Sequence, residues 1–196
     1  MAQQRTVSDD VSGSNVAASA GLGVLAAAIS YLVSYVLIVD EARDVFGDSV
    51  ADWQSVAWYF YNAHMVDLET TGTFGGLGGS GTVDLIAESS ATSATVLYAI
   101  PPLVLLGIGA LLAVQLGARD LGEAVVAGAP VTIGYAVVMG LGAVATEASA
   151  EGSFFGIEAS GSIAPELVPA ILLGGILYPL VFATAGAVLA TSLAGR

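Results

Sequence analysis

The chain has 196 residues, of which 56% are apolar and only 11% charged; 17 acidic residues stand against four arginines and no lysine, for a net charge of −13. That charge excludes nucleic acid as a partner. The lack of cysteine excludes disulfides, thiolate nucleophiles and cysteine-built zinc or iron–sulfur centres, and one histidine cannot build a histidine-rich metal site.

Soluble domains carry about 25% charged residues, so this deficit points to lipid as the solvent. Residues 1–16 are small and polar and read as a disordered cytoplasmic tail. Ala17–Val39 is the first of four uncharged runs, each long enough at about 1.5 Å per residue to cross a hydrocarbon core of about 30 Å. It is not a cleaved signal peptide, because its apolar core is too long and "VDEARD" follows where a small-residue cleavage site is expected.

The segment "WQSVAWYFYNAHMVD", residues 53–67, holds both tryptophans and the only histidine. At 100° per residue Phe46, Val50, Trp53, Ala57, Phe60, Tyr61 and His64 form one stripe, with Asp48, Asp52, Ser55 and Asn62 on the other side. This predicts an amphipathic helix over about residues 45–66 that lies along the outer interface or caps the bundle. Trp53, Trp58, Phe60, Tyr61, Asn62, His64 and Asp67 form the candidate functional or interface cluster. A packed histidine bonded through a ring nitrogen to a carboxylate or carbonyl is its simpler reading. A His64–Asp67 pair acting as a pH sensor or proton acceptor is the functional one.

"GLGGSG" (76–81) matches the dinucleotide fingerprint by letter, but no strand–helix context surrounds it, and it reads as a flexible loop. "GTFGGLGGSGTV" (72–83) also aligns without gaps to "GSFFGIEASGSI" (152–163), an offset of 80 residues. The same offset pairs Leu97-Tyr98 with Leu177-Tyr178, and "ISYLV" in the first span echoes "IGYAV" in the third. The pattern suggests two helix–loop–helix copies running in the same direction, with residues 41–71 mostly an insertion in the first.

The remaining spans are Ser93–Ala118, Ala124–Thr146 and Leu167–Ala194, the second and third joined by a tight turn at "GARDLGE". Gly186, Ala190 and Ala194, like Ala136 and Gly140, stand four apart and let helices approach closely, within the chain or between copies. Pro165 suits the first turn of the fourth span, while Pro101-Pro102 and Pro179 are interior and kink their helices. Kinks beside "LLGG" (172–175) would suit a broken-helix binding site. Tyr31, Ser34, Tyr135 and Tyr178 are the intramembrane polar candidates; no ionisable acid or base sits within a span, which argues against proton-coupled pumps and membrane proteases.

Arg5, Arg119 and Arg196 fall on one side and Arg43 on the other, so both termini are expected in the cytoplasm. Thirteen of the acids then face outward, a surface whose self-repulsion is screened at about 1 M salt. Acid-rich, lysine-free composition suggests an extreme halophile; a calcium-binding acidic face is the alternative, but no EF-hand spacing occurs.

At "WYFYNAHMVD" (58–67), followed by three more spans, the chain resembles a family of uncharacterised haloarchaeal membrane proteins. They carry a similar W-x-F-Y-N-A-H-x-V-D segment after the first span and sometimes a loose transporter label. The resemblance covers most of the chain, is specific at residues 58–67, and implies a membrane setting and a halophilic source but no site residues.

The sequence thus describes an all-α integral membrane four-helix bundle in the cell membrane, with an extra amphipathic interfacial helix in the first outer loop. Its partners are the lipid bilayer and a second copy or another membrane protein. No catalytic residue, cofactor or metal site is assigned, and the chain is read as a non-enzymatic structural or partner-binding component. A transporter or channel for a small neutral solute is the alternative.

Overall fold

The computed structural model describes residues 2–194, with the side chains of 13–194 apart from Phe154. The tail expected to be disordered over residues 1–16 is helical from Ala2 on, as the start of α1, with side chains described from residue 13. Helix α1 spans Ala2–Phe46, and α2, Asp52–Asn62, follows a short turn. A hairpin of β1, Leu68–Phe74, and β2, Leu77–Val83, leads to the short helices α3, Leu85–Glu88, and α4, Thr92–Val96. Helix α5, Ile100–Leu116, returns to the other side, and α6, Leu121–Gly128, and α7, Val131–Ala145, cross back. A second hairpin, β3 Ala148–Phe154 and β4 Ile157–Pro165, precedes the last crossing. That crossing is a single turn α8, Leu167–Pro169, a π-helical stretch Ala170–Leu177, and α9, Tyr178–Ala194.

Among the described residues four helical stretches are long and apolar enough to span a membrane: Gly13–Ser49, Thr92–Leu116, Leu121–Ala145 and Leu167–Ala194. Their packing is inside-out relative to a soluble bundle. Leu32, Val36, Leu103, Leu141 and Leu193 are exposed, whereas Ala26, Ala27, Ser30 and Ser34 are buried. Leucine gains nothing by leaving lipid, so the small residues take the contacts and the large ones face the tails.

Those contacts are reciprocal. A methyl group on Gly23 would run into the Val131 carbonyl, and one on Gly134 into the Ala20 carbonyl, so α1 and α7 touch backbone to backbone. Helices α5 and α9 do the same through Gly109 against Ala183 and Gly186 against Leu106. In each pair the two contacts are separated by the same number of residues, as a local twofold axis requires. Gly186 is therefore engaged within the chain.

Proline placement explains the irregular stretches. Pro101-Pro102 occupy the first turn of α5, where missing N–H groups cost nothing, and a tight 3₁₀ turn precedes them. Pro130 separates α6 from α7. Pro165 ends β4 rather than opening the fourth span as expected, and Glu166 stands at the helix start. Pro169 and Pro179 bracket the π-helical stretch; Pro179 supplies no N–H to the turn before it, which favours the wider hydrogen-bond pattern there. The "GARDLGE" turn closes as expected: Gly117 takes φ 66° beyond α5, and the Asp120 carboxylate caps α6 at the Glu123 N–H.

Two expectations are corrected here. The glycine-rich segment is not a loop: with its counterpart it forms a four-stranded antiparallel sheet in the order β2-β1-β4-β3, so the fold is a helical bundle plus a small sheet. Alternation along "LETTGTF" and "ASAEGSF" puts Glu, Thr and Ser on one face and, Thr70 apart, apolar or glycine residues on the other. Each hairpin turns through two residues of positive φ, Gly75-Gly76 and Phe155-Gly156. Nor does the aromatic helix span residues 45–66: it runs Asp52–Asn62 and packs on the bundle, the second of the two expected placements. Ser55–Asn62 are all buried, because the bundle accepts the helix from both sides.

Candidate functional site

Helix α2 and the turn after it enter the end of the bundle that bears the hairpins, held by side-chain bonds to backbone rather than by an apolar stripe alone. The Trp58 indole N–H donates to the Thr146 carbonyl at 2.9 Å, and the Tyr61 hydroxyl to the Met139 carbonyl at 2.7 Å. Gly142 leaves the space for that hydroxyl, since a Cβ there would sit 2.6 Å from it. Tyr31 of α1 donates to the Trp53 carbonyl, and Phe46 meets Trp58 edge-on with ring centres 5.1 Å apart. Outside the bundle Arg43 ties α1 to α2 through Asp52 at 2.6 Å, with Asp40 at 3.3 Å.

After α2 the chain reverses through Met65 at φ 58°, with the Val66 N–H on the Tyr61 carbonyl. This is a Schellman closure with methionine where glycine is usual. Asn62 locks the reversal: its amide donates to the Val66 carbonyl and its oxygen accepts the Leu85 N–H. Asn62 is therefore buried and structural, not solvent-facing as the helical wheel predicts.

His64 projects from this turn into the bundle and is fully buried. Its Nδ1 lies 2.7 Å from the Phe60 carbonyl and its Nε2 2.7 Å from the Tyr135 hydroxyl. A carbonyl only accepts, so Nδ1 carries the proton; Nε2 is then the acceptor, and Tyr135 donates to it. Burial holds the imidazole neutral, lowering its pKa to about 4 against a smaller upward pull from the Phe60 carbonyl. Tyr178 stacks obliquely at 5.1 Å, and Gly174 of the π-helical stretch leaves room for the Met139 methyl, 2.6 Å from where a Cβ would stand, with His64 Cβ at 3.4 Å beside it.

The structure thus brings Trp58, Phe60, Tyr61 and His64 together with Tyr31, Tyr135 and Tyr178. It leaves out Asp67, which is exposed and contributes only a carbonyl to the Glu166 N–H at the base of the sheet. The His64–Asp67 pair does not form. Trp53 is 47% exposed, and Ser34 bonds its own helix at the Ser30 carbonyl. A groove of about 350 Å³ beside Tyr31, Trp53 and Tyr61 is bordered by Ala27, Ala28 and Val138 and opens sideways between α1 and α7. Tyr135 and Tyr178 do not border it, so the three tyrosines line no common cavity there.

The DUF7978 family, a family of unknown function, matches residues 1–194. The chain belongs to it. No curated protein and no solved structure matches. In this DUF7978 chain the sequence reading missed Met139, Gly142 and Thr146, which receive α2; Phe46, placed on the aromatic stripe, ends α1 and packs on Trp58 instead, and Gly174, named only within "LLGG", lies against the same cluster. The glycines carried the only signal, since each interrupts an apolar helix where lipid packing alone would place a larger side chain. Among the described residues no three Asp, Glu or His side chains converge in a way that could hold a metal ion. The arrangement can accept and donate hydrogen bonds within a buried cluster.

Proposed function

We propose that this membrane protein is a structural or partner-binding component, and that the outer sheet is what it presents. The observation that carries this reading is the contrast between a bundle sealed by backbone contacts and a four-stranded sheet with exposed faces and two unpaired edges. Orientation with both termini in the cytoplasm of a cell membrane is part of the proposal. It rests on Arg5, Arg119 and Arg196 against Arg43, which already lies between Asp40 and Asp52. A haloarchaeal source accounts for the acids on the sheet's polar face, Glu69, Glu151 and Glu158, at high salt.

Photocrosslinking in native membranes tests it. A photoreactive residue at Leu77, on the sheet, should yield discrete protein adducts, while one at Leu141, on the lipid face, should not. Adducts from neither position would sink the interaction reading. Transport of a small neutral solute is the second reading, supported by the π-helical stretch facing His64. Proteoliposomes that shrink and recover in an osmotic upshift with glycerol, faster than protein-free ones, would favour it.

A further inference from the structure

The two hairpins are equivalent under the 80-residue offset, which carries β1 onto β3 and β2 onto β4. Both rise from the bundle and return to it, so β1 and β3 ascend while β2 and β4 descend. The order β2-β1-β4-β3 therefore reads descending, ascending, descending, ascending: one hairpin placed beside the other head to tail. The internal seam joins ascending β1 to descending β4, with Gly72 opposite Gly161, Thr71 opposite Ser162 and Thr73 opposite Ser160. Two hydroxyl pairs at 2.8 Å mark it. The equivalents of these seam strands are β3 and β2, the two outer strands, each bonded on one side only.

We propose that these two halves mate between copies, β3 of one chain pairing antiparallel with β2 of the next. The offset fixes the register: Ser153 opposite the neighbour's Ser80, Gly152 opposite its Gly81 and Glu151 opposite its Thr82. Polar residues then continue the polar face and glycine meets glycine, as across the internal seam. No like charges oppose each other, although the chain as a whole carries −13. Natural edge strands are blunted by lysine, proline or bulges. Neither outer strand has any of these, and β2, "LGGSGTV", has no charge at all.

The membrane selects the partner edge. Copies in one bilayer share their vertical sense, so a strand meeting its own counterpart would pair parallel. Only β3 against β2 is antiparallel with all turns pointing the same way. Such contacts are heterologous, so they generate a ring where the rotation closes and a row where it does not. This inference deepens the partner-binding reading by making the partner a second copy.

The chain contains no cysteine, so introduced thiols report alone. The doubly substituted S80C/S153C chain, oxidised in membranes, should give a reduction-sensitive ladder of dimers, trimers and larger species. S80C or S153C alone should stay monomeric, and co-expressed with different tags they should form one heterodimer and nothing larger. G78C/S153C, slipped by two residues on the same face, should cross-link at least about five-fold less, because diagonal neighbours lie beyond disulfide reach. An unchanged unfolding midpoint for S80C/S153C shows that the fold is intact. A monomeric S80C/S153C, a ladder from S80C alone, or equal cross-linking by the slipped pair would each overturn the proposal. If that monomer still yields adducts to another protein from Leu77, self-pairing fails while the partner-binding reading stands.

Discussion

The two structured parts at the hairpin end of the bundle solve opposite problems. The α2 segment is buried: its side chains reach down to backbone carbonyls of α7, and its own amide groups are closed by the helix and the Schellman turn. The hairpins stand exposed: their backbone groups bond from strand to strand, and most side chains face outward. A buried segment is specified by shape, so one wrong atom is felt. An exposed sheet is specified by register, so single side chains matter little and the backbone edge matters most.

Breaking that contrast is most direct at Trp58. Trp58→Ala should cost about 3–5 kcal/mol, through a cavity beside Phe46 and an orphaned Thr146 carbonyl, read as a lowered unfolding midpoint in detergent. Gly142→Val should cost about 1–3 kcal/mol by displacing the Tyr61 hydroxyl, and a paired Tyr61→Phe should recover part of it. Met65→Gly should stabilise by about 1 kcal/mol, since it relieves a left-handed methionine at an exposed site. On the sheet, Thr73→Ala should shift the midpoint by less than about 0.5 kcal/mol equivalent.

His64 adds a pH axis to the same comparison. Its folded pKa, about 4, lies below the ordinary histidine value of 6.5, so the unfolded chain binds the extra proton first. Its contribution is complete above about pH 6.5 and is lost as the pH falls toward 4. The midpoint should fall across that window, and His64→Phe should flatten the slope; an equal slope in both proteins would remove His64 as its cause.

The spans were legible because twenty uncharged letters have few other readings, and the fourth, Leu167–Ala194, matches its predicted bounds. The strands were present too, in the two-residue alternation of "ASAEGSF" and, interrupted at Thr70, of "LETTGTF", but their glycines suggested a loop. Glycine is depleted in strands; here it fills the apolar face without presenting a large exposed surface. The site was half legible. A packed histidine bonded to a carboxylate or carbonyl was readable; that the acceptor is the Phe60 carbonyl was not. The second partner of His64, Tyr135, comes from another span, and no local pattern can join the two. The wheel misled for Asn62 because it assumes one buried face, whereas α2 is covered from several sides.

The inward-reaching bonds of α2 also impose an order in time. Trp58, Tyr61 and His64 precede their partners Thr146, Met139 and Tyr135 by 88, 78 and 71 residues. A chain made from its N-terminus therefore completes the aromatic segment well before the third span exists to receive it. Docking waits for that span, so the first loop closes the assembly late, as a latch rather than a foundation.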